Sequence, residues 1–175
     1  IDGVAVHYLD EGQGRPVLLL HGNPTWSFLY RDVITALRGE ARLVAPDYPG
    51  FGMSAPPEGY GYTPAEHAAS VRILVNRLGL EDLVIVVQDW GGPIGMDIAT
   101  RNPKRVAGLT ILNTWAWPAD AFASFFSVMM GGPWGPWLQQ KKNFFATTLM
   151  EKSIRNPDRN RPEILAAYSA PFPTP

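Results

Sequence analysis

Asp89 stands where an aliphatic run stops: Leu83-Val84-Ile85-Val86-Val87-Gln88 leads into it and Trp90-Gly91-Gly92 leads away. A carboxyl group with an ordinary pKa of about 3.9 is ionised at neutral pH, so Asp89 needs no base to become a nucleophile, whereas a serine would. Attack of a carboxylate on carbon makes an ester. The suited reaction is displacement of a leaving group from an alkyl carbon, followed by hydrolysis of that ester. Asp is also a common helix N-cap, and the stretch alone leaves both roles open.

The flanking residues say how Asp89 would be presented. Five consecutive aliphatics, three of them Val, suit a strand buried on both faces of a parallel sheet. Gly91 and Gly92 permit a sharp turn, and Pro93-Ile94-Gly95-Met96-Asp97-Ile98-Ala99 reads as a helix with Pro in its first turn. Strand, tight turn and helix with a reactive side chain at the apex is the geometry of a nucleophile elbow. Here the apex is Asp, and Val87 replaces the first Gly of the G-x-S-x-G pattern.

Other elements follow in order. Val4 to Leu9, the turn-rich link Asp10 to Pro16 and the apolar Val17-Leu18-Leu19-Leu20 predict a hairpin whose second arm opens into His21-Gly22-Asn23-Pro24. Trp26 to Leu37 has helical spacing, and Arg42-Leu43-Val44-Ala45-Pro46 reads as a strand entering the loop Asp47 to Ser54. Thr63-Pro64-Ala65-Glu66 is a capping box; Val71, Leu74, Val75 and Leu78 continue the helix and Gly79 stops it. Val106 to Leu112 gives another strand. Alternating strands and helices predict an α/β fold with a mostly parallel sheet.

From Trp115 the composition shifts, with four of the six Trp and the run Gly131-Gly132-Pro133-Trp134-Gly135-Pro136-Trp137. The expected organisation is 1–114 as the core and 115–175 as a segment of short helices and loops, one of them Arg161 to Tyr168. With 175 residues, 46% apolar and 18% charged, the chain can bury one core. A net charge of −1 without a long basic cluster argues against nucleic acid or an anionic membrane surface as main partner. No run reaches the roughly 18 apolar residues of a membrane span, leaving cytoplasm as the default location. Zero Cys and three scattered His provide no metal-ligand spacing.

Three pieces, His21-Gly22-Asn23-Pro24-Thr25-Trp26, Asp47-Tyr48-Pro49-Gly50-Phe51-Gly52-Met53-Ser54 and Val87-Gln88-Asp89-Trp90-Gly91-Gly92, closely resemble the haloalkane dehalogenases of the α/β-hydrolase fold. The resemblance extends to Tyr168-Ser169-Ala170-Pro171-Phe172-Pro173, similar to the end of that family's helical cap. It implies a small halogenated alkane and water as substrates, alcohol and halide as products, and no cofactor or metal. It further implies Asp89 as nucleophile, Asn23 and Trp90 as halide donors, and the backbone N–H groups of Asn23 and Trp90 as an oxyanion hole. A departing halide needs donors rather than a proton, and an indole N–H and a carboxamide are such donors that cannot compete as bases. Without the resemblance, Trp90 could be a packed aromatic and Asn23 a turn residue before Pro24. His21 is read as organising its loop, and His7 and His67 as ordinary strand and helix residues. For Trp134 and Trp137, packing is favoured over a halide contact.

Asn113 follows the strand after the elbow, where one branch of that family has its catalytic carboxylate, and Asn cannot be that acid. Together with Asn23 this points to the subfamily using Asp-His-Asp with Asn and Trp. The sequence supplies no candidate for the catalytic His or the acid. A start at Ile1 and an end at Pro175 are therefore read as those of an N-terminal fragment lacking the C-terminal strands, able to be alkylated but not to turn over. Two alternatives stand beside this reading. One is an epoxide hydrolase of the same fold, for which Tyr168 is the only cap tyrosine available as proton donor. The other is a truncated, non-catalytic product.

Overall fold

Among the described residues the aliphatic run forms the fourth of five strands: β1 (Tyr8–Glu11), β2 (Pro16–Leu20), β3 (Arg42–Pro46), β4 (Leu83–Gln88) and β5 (Val106–Leu112), in the spatial order β1-β3-β2-β4-β5. This is a computed structural model, which describes residue 3, residues 5–115, positions 128 and 137, and residues 145–172. β2 pairs in parallel with β3 and β4, and β4 with β5; only β1 runs antiparallel, along β3.

The expected hairpin is therefore corrected. β1 is displaced from the expected Val4–Leu9 to Tyr8–Glu11 and pairs with β3, skipping β2. Both edges of β2 are already occupied by parallel neighbours, and Leu18, Leu19 and Leu20 are at most 1% exposed, so no edge remains for its sequence neighbour. Two Arg42 nitrogens hold the two Asp10 carboxylate oxygens at 2.8 and 2.6 Å, which fastens β1 at the outer edge of β3.

Helices cover both faces of this sheet. α2 (Pro64–Arg77) and α3 (Gly91–Arg101) pack on one side, where Ala68, Val71, Leu74, Val75, Ile94 and Ile98 meet Leu18, Leu20, Ile85 and Val87. On the other, Tyr30 and Ile34 meet Leu19, Leu43 and Ala45. Burying each such side chain contributes about 1.5–3 kcal/mol, which makes the Ile85/Val87 layer a rigid base for whatever follows β4. The helix expected over Trp26 to Leu37 begins instead as a 3-10 turn, Ser27–Tyr30, and becomes α1 at Arg31–Leu37. α2 starts on the predicted capping box: Glu66 N–H donates to Thr63 Oγ1 (3.3 Å) and Thr63 N–H donates to the Glu66 carboxylate (2.9 Å). Asp97 of α3 pairs with Arg72 of α2 and with Arg101 one turn on, which links the two helices. β5 closes the sheet as an edge strand with Ile111 and Leu112 about half exposed.

The chain divides into two units, Ile1–Ala116 and Trp117–Pro175. In the second, a π-helical turn at Phe145–Leu149 runs into α4 (Met150–Ser153), and α5 (Pro162–Ser169) has Pro in its first turn, close to the helix expected there. Ala146, Met150 and Tyr168 are buried. Asn160 Nδ2 donates to the carbonyls of Glu151 and Ile154, tying the intervening loop to α4. Most of the Trp- and Gly-rich run, Trp134 included, and Pro173 lie outside the described residues; Trp137 is helical and about half exposed. No described helix is long and apolar enough to cross a membrane.

Candidate active site

β4 ends at Gln88 and α3 begins at Gly91, so the whole turn is made by Asp89 and Trp90. Asp89 takes a left-handed conformation, φ 52°, which Asp adopts more readily than bulkier residues but at some cost. The surroundings hold it there. Asp89 N–H donates to Asn113 O (3.1 Å), Thr114 Oγ1 donates to Asp89 O (2.5 Å), and Gly92 N–H reaches the same carbonyl (3.0 Å). Gly91 lies against the Leu20 carbonyl, where any side chain would collide with backbone, so the N-terminus of α3 sits directly on the end of β2.

The loop after β2 completes the site. Thr25 folds it back by donating its N–H (3.0 Å) and its hydroxyl (2.9 Å) to Gly22 O. This turn aims Asn23 N–H at Asp89 Oδ2 (3.1 Å), the oxygen that also accepts Trp90 N–H (2.6 Å). Gly22 is obligatory here, because a Cβ would fall on the Asp89 side chain. Burial raises the Asp89 pKa above its ordinary 3.8, and the Trp90 and Asn23 amides pull it back down. The N-terminal end of α3 adds favourable potential for the anion. The result is a carboxylate partly stripped of water, with one oxygen doubly held and Oδ1 accepting no hydrogen bond among the described residues.

The three predicted site residues, Asp89, Asn23 and Trp90, thus meet at the carboxyl ends of β2 and β4. Both Asn23 and Trp90 are exposed within the described structure, and among the described residues neither the carboxamide nor the indole N–H is paired. The Trp90 ring packs edge-on against Trp115, with centroids 5.3 Å apart and planes at 78°. Asn113 and Thr114, just past β5, brace the elbow from the neighbouring strand. Thr114 is missed by sequence reasoning, although its position after the strand beside the elbow strand is a usable signal.

The histidines have other occupations. His21 is fully buried, stacked on Tyr48 at 4.1 Å; its Nδ1 faces Gly22 O (2.9 Å) and its Nε2 lies 3.4 Å from the Tyr48 amide. Burial holds its pKa down at about 4, against the raising influence of Gly22 O and Asp47, so it is neutral at pH 7. That assigns Nδ1–H as donor to Gly22 and Nε2 as acceptor from Tyr48, leaving no nitrogen for Asp89. His67, buried in α2, meets the Tyr60 hydroxyl (2.9 Å), and burial and His21 hold its pKa down at about 4. His7, just ahead of β1 rather than in it, contacts Asp47 (2.8 Å). Among the described residues no group of three His, Asp or Glu could hold a metal.

The chain is similar to known proteins in sequence and in fold. The family profile described as "alpha/beta hydrolase fold" matches residues 15–154. The chain is 47% identical over 169 residues to "Haloalkane dehalogenase 2" of Mycobacterium tuberculosis, covering 96% of this chain and 58% of the relative. It is 44% identical over 118 residues to a "Cis-3-alkyl-4-alkyloxetan-2-one decarboxylase" of Shewanella oneidensis, covering 66% of this chain and 37% of that protein. The crystal structure of the haloalkane dehalogenase DatA from Agrobacterium tumefaciens C58 superposes with a TM-score of 0.87 at 31% identity, over 98% of this chain and 60% of DatA. The chain thus spans somewhat over half the length of these two dehalogenases.

Proposed function

We propose that this chain, which belongs to the alpha/beta hydrolase fold family, carries the nucleophile and leaving-group side of a haloalkane dehalogenase site, with residues 1–114 as hydrolase core and 115–175 as cap segment. One observation carries the reading: Asp89 is presented at the elbow with both amides on Oδ2 and, among the described residues, no hydrogen bond on Oδ1. Oδ1 attacks the halogen-bearing carbon, the new C–O bond forms as the carbon–halogen bond breaks, and the electron pair leaves with halide. The Trp90 indole N–H and the Asn23 carboxamide receive that ion. Hydrolysis then adds water oxygen at the Asp89 carboxyl carbon. The charge that develops on Oδ2 is met by the Asn23 and Trp90 amides before alcohol departs and Asp89 is restored. Overall, haloalkane and water give alcohol, halide and a proton.

The second step requires a base to take a proton from water, and no described histidine faces Asp89. The 175-residue chain should therefore stop at the ester. Intact-mass analysis after exposure to a reactive bromoalkane tests this. A single alkyl adduct, absent in Asp89→Ala, supports the reading, and an adduct retained in that variant removes it.

A second reading draws on the oxetanone decarboxylase similarity, which lies over a 118-residue stretch. In a four-membered lactone the leaving group on the alkyl carbon is the ring carboxylate. Asp89 could displace it as it would halide. Loss of CO₂ then forms the alkene as the C–O bond to Asp89 breaks, restoring the carboxylate without water or a base. Alkene and CO₂ from a cis-3,4-dialkyl oxetanone would mark this route, against the ester adduct from a bromoalkane. The epoxide alternative has less support: its proton donor would be Tyr168, which is 4% exposed, and the similar proteins above bear dehalogenase and decarboxylase names.

A further inference from the structure

Asp47 follows β3 directly and is completely buried, yet its carboxylate is surrounded by donors. Oδ1 accepts Ser27 N–H at 2.7 Å; Oδ2 accepts Met53 N–H at 3.0 Å and His7 Nδ1 at 2.8 Å. Its main chain belongs to the same knot: Asp47 N–H donates to His7 O (2.9 Å), the Ser54 hydroxyl donates to Asp47 O (2.9 Å), and His7 N–H donates to Ser54 Oγ (2.8 Å). Gly52, at φ 51°, leaves room that a Cβ would take from the carboxylate. A buried charge is tolerated only when its hydrogen-bonding capacity is met, and three donors meet it here.

The Ser27 bond gives this knot a functional reach. The loop from Gly22 to Ser27 is pinned at one end by the Thr25–Gly22 bonds and at the other by Asp47, and between them it presents Asn23 N–H to Asp89 Oδ2. We propose that Asp47, with His7 completing its shell, is a positioning residue that fixes the Asn23 amide on Asp89 through Ser27 N–H. This rests on the reading of Asp89 as nucleophile for its catalytic meaning, but its structural content can be measured separately.

Because the Asn23 amide favours the ionised carboxylate, loosening it should raise the Asp89 pKa further. The test is a ¹³C-carboxyl NMR titration of Asp89 in the full chain, beside the pH profile of alkylation by a bromoalkane. Two variants are compared with the unaltered protein. Asp47→Asn removes the charge. Ser27→Pro deletes the donor N–H together with a buried hydroxyl that has no hydrogen-bond partner among the described residues, at the first residue of its 3-10 turn and behind an extended Trp26, which is the conformation proline favours in its predecessor. Ser27→Pro also keeps the Asp47 charge that acts on His21. The expected result in both is an Asp89 midpoint raised by about half a unit to one unit, with alkylation slowed roughly three- to tenfold at a fixed pH below that midpoint. A variant that merely folds less would lose signal amplitude with an unmoved midpoint, and that outcome in Ser27→Pro overturns the proposal. If Asp47→Asn does not fold, Ser27→Pro decides. Absence of any adduct on the unaltered chain would remove the dehalogenation reading, while a shifted Asp89 midpoint would still support the role of Asp47.

Discussion

The backbone amides of Asn23 and Trp90 end on the same oxygen of Asp89, although 66 residues separate Asn23 from Asp89. In the resting site they steady a carboxylate that burial would otherwise drive towards its protonated form. In the ester they would face the oxygen on which charge builds during hydrolysis. One pair of donors thereby serves both halves of the proposed reaction.

The first consequence concerns Asp89→Asn. No alkyl adduct should form. The same variant should be more stable at neutral pH. With the folded pKa of Asp89 raised, its contribution favours folding below the ordinary carboxyl pKa and is lost as pH rises through the folded value. A neutral amide escapes that loss, keeps an acceptor for the two amides, and suits a left-handed φ. Thermal melts at pH 7.5 should show a gain of about 2–5 °C, shrinking towards acid. A lower melting point than the unaltered chain would contradict the account of Asp89 as a destabilising, partly buried charge.

Gly22→Ala tests the packing of the site. The added methyl would occupy the space of the Asp89 side chain, so either the Asp89 rotamer or the Asn23 loop must move. Alkylation should drop at least about 100-fold, in line with losing a positioned donor and a near-attack geometry, and stability should fall by about 1–3 kcal/mol. Alkylation within about threefold of normal would show that the Gly22–Asp89 contact is not a constraint.

The elbow is legible in the sequence because each local signal points the same way: the buried Val run, the Gly pair and Pro93 admit few other arrangements. The Thr63–Glu66 box is legible for the same reason, both halves of a reciprocal bond being within one helical turn. β1 is misplaced by sequence reasoning because a turn-rich link such as Asp10 to Pro16 specifies a reversal, not the strand against which the chain pairs. That choice is made by β2, whose two edges are taken by β3 and β4. Asn23 and Trp90 can be named from motif resemblance, but their convergence on Oδ2, the Thr114 brace and the Asp47 knot are long-range hydrogen bonds with no periodicity in sequence.

Acid should weaken the core unit through its buried histidines. His21 and His67 have folded pKa values of about 4 against an ordinary 6.5, so both are buried neutral while the unfolded chain takes up protons first. Their stability contribution is complete above about pH 6.5 and is lost as pH falls towards 4. For fully buried His21 a displacement of that size corresponds to on the order of 3 kcal/mol. His67 adds less than a second full share, since His21 is itself one cause of its shift. Urea midpoints should fall between pH 7.5 and 5, and His67→Phe, placed among Tyr48, Phe51 and Tyr60, should flatten that fall. An identical slope in the variant would remove His67 from the effect.

Trp90 supplies the test of leaving-group stabilisation that does not depend on turnover. Its indole packs on Trp115 and keeps its N–H unpaired among the described residues, and in the proposed reaction it is this N–H that would meet the halide. Trp90→Phe keeps an aromatic ring against Trp115, though a smaller one, and the backbone amide on Asp89 while deleting the indole donor. Alkylation by a bromoalkane should slow by about 10- to 100-fold, the range for loss of one hydrogen bond to developing charge, while the Asp89 titration stays in place. Halide binding to the unaltered chain should also quench tryptophan fluorescence, with the saturable component missing in Trp90→Phe. Alkylation at the normal rate in the variant would assign Trp90 to packing against Trp115 and leave halide stabilisation to the Asn23 carboxamide.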